Sequence, residues 1–160
     1  MVIVRAGVLV GALLLVMVPV LVSSSARSLL VYSSEQAQAW CIPVKSHDSM
    51  QLQFTHSMFG GFVREEWQVT PNNQLQRNRF VTENAAAAEY YATDGTSYLA
   101  DDGYVVPGPP LQQSELVIRV NNRGNHVLTV GTHTVYLAEE LTESTQVRIE
   151  VVARSCDNGN

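Results

Sequence analysis

From Ala39 onward the chain alternates apolar with polar residues in short runs rich in valine, isoleucine, threonine and aromatics. A period of two is the signature of strands with one buried face, whereas a helix repeats its apolar positions every three to four residues. The alternation predicts strands at Ala39–Val44, Gln51–Met58, Phe62–Val69, Gln74–Thr82, Tyr104–Val106, Glu115–Val120, His126–Val130, His133–Leu137 and Gln146–Ala153. Turn-forming residues separate them: "TPNN", Asp94-Gly95, Asp101–Gly103, "PGPP", "NNRGN" and Gly131-Thr132. Asn84–Tyr90 is read as a single helical turn, where four alanines favour helix, or as a buried strand edge, which would look similar. Short strands joined by tight turns predict an all-β fold, an antiparallel β-sandwich or small barrel.

The front of the chain breaks this pattern. Residues 6–22 form an unbroken run of apolar and small residues behind a single Arg5, and serines close it. Counted over 2–22, the run reaches the roughly 20 residues that a bilayer-spanning helix needs. The small Ser24 and Ala26 would equally suit a signal peptidase. The expected organisation is therefore a transmembrane or signal helix over 1–26, a polar connector over 27–38, a β domain over 39–156 and a tail over 157–160. It places the β domain outside the cytoplasm, on a single anchor in the inner (cytoplasmic) membrane, or, after cleavage, secreted or periplasmic.

The most informative stretch is "LQFTHSMFGGFVREEWQV", residues 52–69. A two-residue turn at Gly60-Gly61, which needs positive φ at both positions, would make it a hairpin. Met58 then faces Val63, His56 faces Glu65, Phe54 faces Trp67 and Leu52 faces Val69, all on the apolar side. His56 and Glu65 would meet with Cβ atoms about 4.5–5.5 Å apart. Two ionisable groups on an apolar face make sense together, since either one buried alone would lose hydrogen bonds or neutralise. The pair either pins the register or faces a ligand or ion, with a charge state that responds to pH.

Other chemistry is poorly supported. His56 and Ser57 are adjacent on a strand and point to opposite faces, so "THS" is no nucleophile pair, and no GxSxG elbow occurs. The four histidines lack metal-ligand spacing; His126 and His133 share a face of a second predicted hairpin, but at its two ends. "DDG" lacks the alternating oxygen ligands of a calcium loop. No metal, no cofactor and no enzymatic activity are expected.

Composition adds two constraints. The chain is 46% hydrophobic and 16% charged, and its net charge is −5 with Lys and Arg scattered, which argues against nucleic-acid binding. Cys41 and Cys156 stand near the two ends of the β domain. In an oxidising compartment they are expected to form a disulfide closing almost the whole domain; the alternative is two buried thiols.

The hairpin with its "THS" strand, the glutamate Glu65, the aromatic Trp67, the later "RF" strand and the ending "LVIRV…HVLTVGTHTVYLAEEL…TQVRIEV" resemble a small exported domain of unknown function, DUF1850. That family accompanies TAXI-type TRAP transporters, and the resemblance covers essentially the whole exported part. Thr55, His56, Ser57, Glu65 and Trp67 carry its motif. Members carry a glycine-rich segment after the "RF" strand, where this chain has Thr82, Glu83, Asn84 and alanines 85–88. Thr82, Asn84 and Ala85 are the positions carried over from that loop. The resemblance implies a non-enzymatic, membrane-anchored accessory protein of a transporter for organic anions, with a TRAP permease or a TAXI-type binding protein as partner. The alternative is an independent exported β domain that binds a small ligand or ion through His56 and Glu65.

Overall fold

The alternation closes into two antiparallel sheets. A computed structural model describes residues 26–92, 94–109, 112–141 and 144–156. The expected membrane or signal helix, up to residue 25, and the tail over 157–160 lie outside them. Among the described residues no helix is long and apolar enough to cross a membrane.

The strands are β1 (Ser28–Ser33), β2 (Gln38–Pro43), β3 (Ser49–Thr55), β4 (Phe62–Val69), β5 (Leu75–Thr82), β6 (Tyr98–Ala100), β7 (Gly103–Pro107), β8 (Gln112–Gln113), β9 (Glu115–Val120), β10 (Val127–Val130), β11 (His133–Val135) and β12 (Thr145–Val152). Two short helices, α1 (Ala85–Tyr91) and α2 (Leu137–Glu140), interrupt them. One sheet has the order β2-β1-β12-β9; the other runs β11-β10-β3-β4-β5-β7-β6, with β8 also pairing with β5. Their facing sides share one core, in which Leu29, Val31, Val147 and Ile149 of the first sheet join Met50, Leu52, Trp67, Val69 and Leu128 of the second. A smaller core of Val63, Phe80, Ala88 and Val106 lies where α1 covers the second sheet.

The connector expected over 27–38 is instead structural. "SLLVYS" is β1, an interior strand of its sheet between β2 and β12, with Leu29 and Val31 fully buried. Its own period of two was obscured by the apolar run before it and the polar "SSEQAQ" after it. At the other end of the chain, Leu137 does not finish β11 but opens α2, where its side chain is buried in the main core. Cys41 and Cys156 form the expected disulfide, with Cα atoms 5.6 Å apart and 115 residues between them in sequence. A crosslink enclosing so long a loop restricts the unfolded chain by about 4–5 kcal/mol on the chain-entropy account.

The central hairpin pairs differently from the expectation. Leu52, not His56, lies opposite Glu65, and Phe54 opposes Val63 while Met50 opposes Trp67. The turn is wider than two residues: His56 N–H donates to the Gly61 carbonyl and Gly60 N–H to the His56 carbonyl, each at 3.0 Å. Gly60 and Gly61 do take positive φ, +65° and +77°. The ladder ends early because His56 Nδ1 accepts from the N–H groups of Met58 and Phe59, both at 3.1 Å, giving the backbone a local alternative to strand pairing. Leu52 was expected opposite Val69 and meets Glu65, an offset of four residues (69 − 65). An even offset leaves each residue on its predicted face, since side chains alternate with period two.

Candidate functional site

The β3–β4 loop is held from both sides. His56 is buried, its ring lying 5.0 Å from Phe59 and 5.7 Å, edge-on, from Tyr91 of α1. Because Nδ1 accepts two N–H donors, the neutral ring carries its proton on Nε2. Thr82 is fully buried; its hydroxyl donates to the Phe62 carbonyl at 2.9 Å and accepts from Asn84 N–H at 3.2 Å. Asn84 caps α1, its Oδ1 accepting from Ala86 and Ala87 N–H, and its Nδ2 donates to the Phe59 carbonyl at 3.1 Å. Four alanines then make a helix rather than a glycine-rich loop, with Ala85 exposed and Ala87 and Ala88 buried. One asparagine thus joins the helix start to the hairpin tip.

Glu65 belongs to a different cluster from His56. A β-bulge in the β4–β5 ladder sets Trp67 opposite Arg77 and Glu66 opposite Arg79, so Arg77 turns to the inner face beside Glu65. Glu65 accepts from Trp67 Nε1 at 3.2 Å and from Arg77 Nη1 at 3.4 Å. Burial raises the Glu65 pKa above its ordinary value, and the charge of Arg77 and the two hydrogen bonds only partly oppose this. Tyr91 stacks on Phe80 at 4.2 Å, and its own pKa is raised by burial and by the field of Glu65. On the outer face Glu66 is bound by Arg64 and Arg79, which also pair with Asp102, and its pKa is lowered, chiefly by the Arg79 hydrogen bonds.

Beside His56 opens a cleft of about 500 Å³. Phe54, His56 and Tyr91 line it from one side, and Arg119, Arg123 and His126 from the β9–β10 segment on the other. Phe54 and His126 stack at 5.5 Å with planes 13° apart. His126 is buried and its Nδ1 has no hydrogen-bond partner among the described residues; desolvation lowers its pKa, opposed in part by a hydrogen bond with the Asn121 backbone. Three hydrogen bonds brace this segment: Asn121 Oδ1 accepts from Arg123 and Gly124 N–H, and Thr55 N–H donates to the Gly124 carbonyl at 2.7 Å.

Of the residues singled out from sequence, Thr55, His56 and Ser57 line the cleft, and Thr82 and Asn84 support the loop beside it. Glu65 and Trp67 lie deeper on the same inner face, bonded to each other. His56 and Glu65 are not cross-strand partners; Tyr91 is the side chain that neighbours both. His126 and His133 diverge, His133 being exposed on β11, and among the described residues no group of three metal-ligating side chains converges. Reading the sequence missed Arg77, Arg119, Arg123 and Tyr91. Arg77 had a signal: Leu75 and Phe80 are both apolar yet of opposite parity, and one strand can set both on the same face only through a bulge.

A family model described as Domain of unknown function (DUF1850) matches residues 50–137, from β3 through the start of α2. No curated protein and no solved structure is detectably similar to the chain.

Proposed function

The chain belongs to the DUF1850 family, and on that premise we propose that it is a non-enzymatic extracytoplasmic accessory protein that works beside a TAXI-type TRAP transporter for organic anions. The reading starts from the family match, which spans the hairpin, the loop beneath α1 and the strands facing them, and takes the transporter from what the resemblance implies for that family. The Cys41–Cys156 disulfide supports an oxidising compartment, and the apolar segment at 2–22 would hold the domain at the inner (cytoplasmic) membrane. Tethering raises the effective concentration of a module towards a membrane partner, so modest affinity for a permease or a TAXI-type binding protein suffices. Co-purification after mild detergent extraction tests this: recovery of a TRAP permease or its binding protein supports it, and its failure under several transport substrates counts against it.

A second reading, an exported β domain that binds a small ligand on its own, is favoured by the cleft between the β3–β4 loop and the β9–β10 segment. Equilibrium dialysis of the full chain against small-molecule pools tests it without reference to any partner.

A further inference from the structure

We infer that the cleft between the β3–β4 loop, α1 and the β9–β10 segment binds a small organic oxyanion, its charged end held by Arg119 and Arg123 and its apolar body lying against Phe54, His126 and Tyr91. This gives the ligand-binding reading a chemical class and rests on that reading, not on the transporter association.

Charge is the first argument. The chain has 15 Asp and Glu against ten Lys and Arg, yet among the described residues no carboxylate lines this cleft, which has two guanidinium groups and two imidazoles. The arginines of the other strands are matched: Arg64, Arg77, Arg79 and Arg148 each pair with a Glu or Asp. Arg119 donates from Nη1 to the Ser144 backbone and hydroxyl, and Arg123 forms no ion pair among the described residues. A concave site lined by one sign of charge focuses its potential, and free guanidinium edges suit the two oxygens of a carboxylate.

The walls supply the second argument. The Phe54–His126 stack and the edge of Tyr91 give part of an otherwise polar lining a planar, aromatic surface, while Arg119 and Arg123 are exposed. Polar groups placed beside an aromatic wall fix the orientation of a small ligand, and about 500 Å³ is within the range of small-molecule sites. The buried Nδ1 of His126 has no hydrogen-bond partner among the described residues, and a buried polar atom in that state points to a ligand or water. The segment is also built to hold the ring in place: a Cβ on Gly124 would stand 2.2 Å from His126 Cε1, so the imidazole rests directly on a glycine backbone.

The test titrates the full chain in detergent micelles with benzoate, acetate, inorganic phosphate and neutral benzamide. Calorimetry and the ring-proton NMR signals of His56 and His126 are the readouts. Benzoate is expected to bind, to move both histidine signals and to outcompete acetate and phosphate; benzamide is expected to bind far more weakly. Arg123→Gln, which removes an exposed side chain, and Arg119→Gln should each weaken benzoate about tenfold, the scale of one charge-assisted contact. Arg148→Gln, with the same change in net charge elsewhere, should leave it unchanged. The inference is overturned if benzoate moves neither histidine, if benzamide binds as well, if phosphate binds as tightly as benzoate, or if Arg148→Gln weakens binding as much as Arg123→Gln. None of these outcomes depends on recovering a transporter partner.

Discussion

Arg77 reaches Glu65 across the β4–β5 ladder, Nη1 to Oε1 at 3.4 Å, with its guanidinium 6.0 Å from the centre of the Trp67 ring. The contact is long, and Arg77 Nε is buried with no hydrogen-bond partner among the described residues. Desolvation of Glu65 outweighs the attraction, as its raised pKa records.

Removing only one member should therefore cost more than removing both. Arg77→Leu leaves a buried carboxylate uncompensated and is expected to destabilise by about 3 kcal/mol at neutral pH. Adding Glu65→Gln to it should recover most of that loss. Urea denaturation of the two single variants and the double variant measures the coupling; a double variant as unstable as the sum of the singles would show that the pair does not act as a unit.

Adjacent glutamates on β4 should respond to pH in opposite directions. The pKa of Glu65 is raised from 4.5, so the folded state holds its proton more tightly than the unfolded chain does. That contribution is complete below the unfolded value and is lost as pH rises through the folded one. The pKa of Glu66 is lowered from 4.5, so its contribution is present above that value and is lost as pH falls through the folded one. Stability of the parent relative to Glu65→Gln should fall as pH rises above about 4.5, and relative to Glu66→Gln it should fall as pH drops below that value. Denaturation midpoints across pH compare the two; slopes of the same sign would contradict the assignment.

These opposed environments follow from features of unequal visibility in the sequence. The inner face of the β3–β4 hairpin was legible because period-two alternation survives an even offset, so Leu52, Phe54, Val63, Glu65 and Trp67 fall where the pattern put them. The register was not, because the turn's size is set by His56 Nδ1 accepting two backbone N–H groups, a bond that Gly60-Gly61 gives no hint of. Arg77 reaches the inner face only through the bulge, and β1 was hidden by its apolar neighbour. Arg119 and Arg123 are far from "THS" in sequence; β10 beside β3 brings the β9–β10 connection to His56, and Arg119 arrives from β9 of the other sheet.

Asn84 has two separable jobs, and substitutions can divide them. Asn84→Ala removes the cap of α1 and the bond to the Phe59 carbonyl, and is expected to destabilise by about 1–2 kcal/mol. Asn84→Asp keeps the capping oxygen but loses the Nδ2 donor, so α1 should persist while the hairpin tip loosens. Amide hydrogen exchange resolves the difference: in the aspartate variant protection should fall at Gly60, whose N–H closes the turn, and hold at Ala88. Equal losses at both would mean that the tip and the helix start do not depend on separate bonds.

Gly124→Ala probes the cleft without altering any charge. The new methyl would stand 2.2 Å from Cε1 and 2.5 Å from Nδ1 of His126, so the imidazole must leave its place against Phe54. Overpacking of this kind costs about 1–3 kcal/mol. The clash is with a side chain and not with backbone, so the Thr55-to-Gly124 backbone bond should survive and the sheet should stay intact. Loss of the ring-current shift that Phe54 imposes on the His126 protons, with the β3 amides unchanged, is the expected NMR signature. A variant that keeps that shift would mean that the ring does not depend on the missing Cβ, and that Gly124 serves the turn alone.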